Sequence, residues 1–528
     1  MSAASTAAAR RSSGAGTQAW ALLVGLTAGL VGFWLGGMHV KHMAAGVLSL
    51  GLVSAAMLSR QTSRMILVAM ILTLGTRMLG KAYGLSVIFP WLLHQPGAYF
   101  VDPLAVFLVV GCLLWLRDVV LLGVEALPRR PVGIVPLCLL FCFAALAAGR
   151  AFVPSQGFYD LLRVAQYMVF FVYLTARIRD DADLRVVLLA VAAVTFLESA
   201  LVFYQFFHGA NLQLTLLKPT TGPAATGALE AASRYVGAFP HPNGLATFMA
   251  MLIPILLVAV LVLRRDRIVR AACLTALLAA AGAAGLTLSR GLLVSLPVGI
   301  AVAFLVVRGR GGFSREHRQR ALAVLLVAAV PVVLSAPKFY ERFTSDYATQ
   351  AGVAHYHTMG VAARVIKAHP LTGVGLDGYR RHLKTLSDRP GDESASIEQY
   401  VVEKSPAQNR WAAKAVPHCL YLQIAAELGI PGLIAFVWFM LVVMRTGWRA
   451  RHRGTELERA LRGGGLAGLC CYAFYVLYQA GPLMAGPGFW FLVAIAAHGL
   501  SPYARPTAMP RATPVLPAPV AHGAALSG

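Results

Sequence analysis

The sequence predicts an all-α, polytopic integral membrane protein of about fourteen transmembrane helices, with a large loop on the non-cytoplasmic side. Of its 528 residues, 58% are hydrophobic and 13% are charged, which is too little charge for the surface of a water-soluble domain of this size. The apolar residues form blocks of about 20, the length at which a helix crosses roughly 30 Å of hydrocarbon. Short alternating segments, which are typical of membrane β-barrels, do not occur. The lipid bilayer is therefore the first partner that the chain requires.

The apolar blocks define the predicted spans, because charged or Gly- and Pro-containing connections separate them. In chain order, the predicted spans are residues 19–37, 43–59, 65–84, 102–123, 132–149, 159–176, 185–207, 242–263, 270–288, 291–307, 321–336, 418–443, 464–480 and 486–500. Residues 1–18 are rich in Ala and Ser and predict a disordered cytoplasmic tail before an uncleaved first helix. Residues 502–528 are rich in Pro and Ala and predict a second disordered tail.

Positive charge indicates how the chain crosses the membrane. Arginines concentrate in every second connection, most densely in residues 264–270, 308–320 and 445–462, whereas the intervening short loops hold few. By the positive-inside rule, the Arg-rich connections and both termini are cytoplasmic. The same distribution accounts for the net charge of +24, because the chain lacks the Lys/Arg stripe with interleaved aromatics that nucleic-acid binding requires. We therefore predict no nucleic-acid partner.

Two non-cytoplasmic loops, about 208–241 and 337–417, are too long to be simple turns. The apolar spacing around His357 and Arg364 predicts a short helix on the outer membrane surface, which Pro370 and the glycines after it end. These loops divide the chain into three predicted parts. They are N-terminal transmembrane helices over 19–207, a catalytic region over 208–443 that includes loop 337–417, and C-terminal helices over 464–500.

Three side chains in the non-cytoplasmic connections are candidates for chemistry. The outer connections hold little positive charge, yet they contain Arg234 and Arg290. Arginine binds phosphate oxygens bidentately and keeps its charge, so the pair would suit a diphosphate. His418, which opens the twelfth span, has the side chain suited to proton transfer near neutral pH. The seven cysteines show no CxxC or CxxH spacing, so we predict no metal site, no cofactor and no required disulfide.

Four motifs occur in order over residues 230–435 and resemble those of the O-antigen ligase and polymerase family of bacterial envelope glycosyltransferases. They are Arg234-x-x-Gly237 with Pro242-Asn243-x-x-Ala246, then Ser289-Arg290-Gly291, then His369-Pro370-Leu371-Thr372-Gly373-Val374-Gly375, and finally His418 with Gly429 and Gly432. The sequence departs from the family at Cys419, where Asn, Ser or Gln is usual. The first five or six helices match nothing beyond general hydrophobicity.

The resemblance implies a metal-independent, inverting glycosyltransferase in the bacterial inner membrane, with a periplasmic active site under loop 337–417. Its donor would be a glycan on undecaprenyl diphosphate, and its acceptor another glycan or lipid A-core, with a chain-length regulator as a further candidate partner. Arg234 and Arg290 would hold the diphosphate, and His418 would orient or deprotonate the acceptor hydroxyl. The candidate substrate-binding residues beside this catalytic group are Tyr235, His241, Asn243, Ser289, His357 and Arg364.

Several functions remain open at this point. Cys419 leaves ligase and polymerase equally favoured, in lipopolysaccharide or in exopolysaccharide biosynthesis. The rival from another class is a transporter or a flippase for lipid-linked oligosaccharides, which predicts internal symmetry and a polar path through the bilayer. Charges inside the predicted spans are few, among them Arg117, Asp118, Arg163 and Glu198, and for Glu198 an arginine partner is expected. Because the candidate residues lie at one face, group transfer is favoured over transport.

Overall fold

Helices form the regular structure of the computed structural model, which describes residues 62–75, 103–122, 131–151, 154–208, 234–239, 242–308, 358–376, 378–379, 417–479 and 486–499, with separate positions between 315 and 344. The helices are α1 Thr62–Leu72, α2 Pro103–Leu122, α3 Ile134–Gly149, α4 Pro154–Arg177, α5 Asp181–His208, α6 Pro242–Val262, α7 Arg267–Leu286, α8 Arg290–Val307, α9 Leu420–Arg449, α10 Glu456–Tyr475 and α11 Gly486–Ala496. A short helix over 358–368, here called the loop helix, precedes α9. Strands do not occur in this part of the chain, so the predicted all-α class is confirmed.

Five of the described helices, α5 to α9, are long and apolar enough to cross a membrane. Several shorter apolar helices accompany them, among them α3 and α11. A multi-pass membrane protein is therefore confirmed, whereas the count of about fourteen spans stays a prediction. The predicted spans 19–37 and 43–59 lie outside the described residues, and span 321–336 lies almost wholly outside them.

One predicted span begins earlier than its apolar block. Helix α10 starts at Glu456, well before the predicted boundary of 464. Thr455 caps it, because the Thr455 hydroxyl accepts the Glu458 N–H at 3.3 Å and the Glu458 carboxylate accepts the Thr455 N–H at 3.0 Å. This capping box supplies partners for the first N–H groups of the helix. A polar first turn thus extends α10 beyond the part that hydropathy detects.

Helix α10 lies at the centre of the bundle because its small residues let other backbones approach. A Cβ atom at Gly464 would lie 2.8 Å from Cα of Ile255 on α6, and one at Gly465 would lie 2.8 Å from the Ala496 nitrogen on α11. Membrane helices lack a hydrophobic force between them, so close backbone packing of this kind supplies much of their association. Helices α6, α8 and α11 accordingly surround α10.

One end of the bundle is joined by ion pairs between the Arg-rich connections. Asp183 at the start of α5 is buried and accepts bonds from Arg64 at 2.8 Å and Arg177 at 3.2 Å. Arg185 also contacts Asp266, the N-cap of α7, at 2.7 Å. Connections that the positive-inside rule assigns to one side therefore do meet at one end of the molecule. This arrangement supports the predicted alternation of the helices.

Helix α9 is broken near its start, where the sequence predicts a continuous span over 418–443. Gly429 has φ 80° and ψ 172°, a conformation that is essentially restricted to glycine, and Pro431 follows. A Cβ atom at Gly429 would overlap the carbonyl oxygen of Leu371. Beyond the break, the Ile430 N–H donates to the Pro370 carbonyl at 2.8 Å. The break thus admits a segment of loop 337–417 into contact with the backbone of α9.

That segment, residues 370–375, is here called the docking segment. The Val374 N–H donates to the Ala426 carbonyl at 2.9 Å, and the Gly375 N–H donates to the Glu427 carbonyl at 3.1 Å. Just beyond it, the Leu376 N–H donates to the Ala147 carbonyl at the end of α3, at 3.2 Å. These bonds fix the loop helix against α3 and α9. The motif that begins at His369 therefore has a structural role in the described residues.

Candidate functional site

Arg234 is buried, with 5% of its surface exposed, in the connection between α5 and α6. Its Nε atom donates to the Thr287 carbonyl at 2.9 Å, and its Nη2 atom donates to Oδ1 of Asn243 at 2.9 Å. These two acceptors, a backbone carbonyl and a side-chain amide oxygen, are neutral and orient the guanidinium. Two predicted residues, Arg234 and Asn243, are thereby brought into direct contact.

The turn between α7 and α8 is strained at Leu288, whose φ is 47°. Among the described residues it is the one non-glycine residue with positive φ, and this conformation costs about 1 kcal/mol. The turn presents the Thr287 carbonyl to the guanidinium described above and makes Ser289 the N-cap of α8, so that Arg290 is its first residue. Helix N-termini favour anions, and an arginine there adds a full positive charge. Gly291 fits because a Cβ atom there would lie 3.1 Å from the ring of Tyr475.

Two residues, one at the end of α10 and one four positions beyond it, complete this group, and the sequence analysis missed both. The Asn243 side-chain N–H donates to Oε1 of Gln479 at 3.0 Å, and the Tyr475 hydroxyl donates to the Asn243 carbonyl at 3.1 Å. Tyr475 is 1% exposed, and its hydroxyl also reaches the side chains of Ser289 and Thr247. In the sequence, a Tyr and a Gln at the end of an apolar span are unremarkable. Only the packing of distant segments identifies them.

His418 is half-buried immediately before α9, and α10 fixes its position. The Leu420 N–H donates to the Val476 carbonyl at 3.0 Å, and the Tyr421 hydroxyl donates to the Ala473 carbonyl at 3.0 Å. The start of α9 is therefore bonded to the same end of α10 that carries the residues around Asn243. Within the described residues, the arginines at 234 and 290 and the histidine thus belong to one end of the bundle.

Cys419, the departure from the family pattern, is the N-cap residue of α9. It is buried, and its side chain makes no capping hydrogen bond in the described structure. Asn and Ser are good N-caps because their side-chain oxygens accept a backbone N–H, whereas a thiol is a weak acceptor. The N-terminus of α9 beside His418 therefore lacks the side-chain cap that Asn or Ser could supply.

The remaining predicted contacts are more scattered. Tyr235 is half-buried, with its ring 5.6 Å from that of Phe206 on α5. Arg364 is exposed on the loop helix. His241 and His357 lie outside the described residues. The binding roles of these four residues stay predictions.

Behind the loop helix, Glu427 is buried on α9 and accepts a bond from Gln423 at 3.5 Å. Tyr379 lies near it and donates its hydroxyl proton to the Thr358 carbonyl at 2.6 Å. Burial raises the pKa of Tyr379, and the charge of Glu427 raises it further. The phenol therefore stays protonated and holds the first turn of the loop helix. Glu427 thereby takes part in the packing behind the loop helix.

Comparison with known families gives one match. Residues 274–437 match the family model described as O-antigen ligase, a segment that includes Ser289, Arg290, the docking segment and His418. Arg234 and the end of α10 lie outside it, although the fold brings both to the same place. The chain has no significant match among curated proteins. The family resemblance predicted from the motifs is therefore confirmed, over residues 274–437, as one to the O-antigen ligase family.

Proposed function

We propose that the protein transfers a glycan from undecaprenyl diphosphate to an acceptor hydroxyl on the periplasmic face of the inner membrane. An O-antigen ligase-type function is supported by the family match. The observation that carries the finer proposal is that Arg234, the N-terminus of α8 and His418 all lie around one end of α10. Positive charge and a proton acceptor at one face suit group transfer better than transport through the bilayer.

The donor would bind between Arg234 and Arg290. The Thr287 carbonyl and the Asn243 side chain orient the buried guanidinium, and Arg290 lies at a helix N-terminus, so both arginines are positioned before the substrate arrives. Their positive charge stabilises the negative charge that develops on a leaving diphosphate. Because the arginines would supply this stabilisation, the transfer needs no metal ion in the role that metals have in other phosphate chemistry.

The acceptor would approach from the side of His418. The imidazole accepts the proton of the acceptor hydroxyl while the hydroxyl oxygen bonds to the anomeric carbon. The bond between that carbon and the diphosphate oxygen breaks, and undecaprenyl diphosphate leaves. Attack opposite the leaving group inverts the anomeric centre. The exposed Arg364 on the loop helix would contact the glycan outside the reacting atoms.

Complementation of the deletion strain tests the proposal. His418→Ala and Arg290→Ala, present in the membrane at normal levels, should fail to restore long surface polysaccharide. Arg308→Ala is the matched control for Arg290→Ala, because Arg308 is exposed at the opposite end of α8 and should be dispensable. If both site variants restore the glycan as well as wild type does, the proposed catalytic role is wrong and a transporter or flippase becomes the favoured function.

The species that accumulates in the inactive variants distinguishes the acceptors. Polymerised glycan left on the lipid carrier identifies a ligase, because the final transfer to lipid A-core is missing. Single repeat units on the carrier identify a polymerase. The same experiment therefore tests the site and separates the two activities that Cys419 leaves open.

A further inference from the structure

Two buried side chains of α5 hold the backbone that follows Arg234. Gln205 is fully buried, and its Oε1 atom accepts the N–H of Gly237 at 2.9 Å and that of Val236 at 3.3 Å. Its Nε2 atom donates to the Gly237 carbonyl at 2.8 Å. The Gln205 amide therefore bonds to both the N–H and the carbonyl group of Gly237.

Glu198 lies two turns earlier on the same face of α5 and is 4% exposed. Its Oε2 atom accepts the Ala238 N–H at 3.1 Å, so this bond to backbone takes the place of the arginine that was expected as its partner. Gly237 has φ 59°, and a Cβ atom there would lie 2.7 Å from Glu198 Oε2. Glycine thus allows both the turn and the close approach of the carboxylate.

Burying a carboxyl and an amide inside a membrane helix is costly, so such residues are candidates for a functional role. Here the four bonds end on residues 236–238, directly after Arg234. We propose that Gln205 and Glu198 are positioning residues that hold Arg234 against the Thr287 carbonyl and so fix the donor site. This inference rests on the proposed function. Both residues lie outside the segment that matches the family.

The test replaces the Glu198 carboxyl and the Gln205 amide with apolar side chains of similar volume. Glu198→Leu and Gln205→Leu should lower the kcat of glycan transfer about tenfold to a hundredfold, since misplacing a catalytic group by about 1 Å costs on this order. Glu198→Gln keeps an acceptor oxygen for the Ala238 N–H and should restore most of the rate. Ser199→Ala is the matched control, because this buried neighbour bonds to the Thr195 carbonyl of its own helix. The probe is the undecaprenyl-diphosphate-linked glycan extracted from the deletion strain.

A double-variant cycle separates positioning from a general loss of structure. If Gln205 acts through Arg234, Gln205→Leu should add little to the loss already caused by Arg234→Ala. If the double variant instead loses kcat by the product of the two single losses, the inference is wrong. It is also wrong if Gln205→Leu keeps the wild-type kcat while Arg234→Ala loses it. An active Arg234→Ala would instead refute the proposed donor site itself, and this inference with it. If a Leu variant does not reach the membrane, Gly237→Ala disturbs the same contact from the loop side and should lower kcat equally.

Discussion

Replacing Gly429 with alanine should release the docking segment from α9. The φ of 80° with ψ of 172° costs a non-glycine residue about 1–3 kcal/mol, and the new Cβ atom would overlap the Leu371 carbonyl. Relief of that overlap moves the segment away. Three backbone hydrogen bonds then break, those donated by Ile430, Val374 and Gly375, and each contributes about 1 kcal/mol. The strain and the overlap destabilise the docked state relative to the undocked state by up to about 3 kcal/mol, which corresponds to roughly a hundredfold in its population.

Limited trypsin digestion of the purified protein measures this change. Arg364 and Lys367 are exposed on the loop helix, and cleavage there requires the helix to open. When opening is fast relative to cleavage, the rate follows the open population and should rise by up to about a hundredfold in Gly429→Ala. Because loop 337–417 is predicted to cover the site, glycan transfer should fall as well.

Gly360→Ala is the matched control for this experiment. Gly360 lies on the same loop helix, and a Cβ atom there would meet nothing within 4 Å. Its digestion rate should equal that of wild type or fall slightly, since alanine favours helix. If Gly429→Ala is digested no faster than Gly360→Ala, the docking of residues 370–375 on the broken helix does not control the loop, and the reasoning is refuted.

Two further predictions concern α10. Tyr475→Phe removes the hydroxyl that bonds to the Asn243 carbonyl and should lower the transfer rate about fivefold to tenfold at normal membrane abundance, whereas Tyr478→Phe, at an exposed position of the same helix end, should have no effect. Arg462→Met leaves the carbonyls of Ala450, Arg453 and His498 without their buried donor, and should cost about 3 kcal/mol, seen as a lower Tm in detergent. Equal Tm values for Arg462→Met and wild type would contradict this role.

Local patterns predict much of this molecule because each depends on neighbours in the sequence. Hydropathy detects the spans, and Arg-rich connections indicate which helix ends meet. The motifs around Arg234, Arg290 and His418 predict residues that the fold does bring to one end of α10. In each case the signal is contained within a single helix or turn, so sequence alone suffices.

The rest depends on contacts between segments far apart in the chain. Nothing near Gly429 indicates that a loop segment enters there, because hydropathy continues across the break. Tyr475 and Gln479 resemble the ordinary end of an apolar helix until Asn243 is placed against them. The charge of Glu198 suggests an arginine partner in the sequence. Its actual partner is the Ala238 backbone N–H, and the sequence does not indicate which backbone N–H groups lie near a buried carboxylate.

The position of α10 determines what can be exchanged between proteins of this kind. The family match ends at residue 437, before α10 begins, yet Tyr475 at the end of α10 and Gln479 just beyond it contact Asn243 of the candidate site. A chimera that receives only residues 274–437 of this chain would contain its Arg290 and His418. The residues at the positions of Tyr475 and Gln479 would still be those of the recipient protein. A chimera should therefore acquire the substrate specificity of this chain only when α6 and α10 are transferred together with residues 274–437.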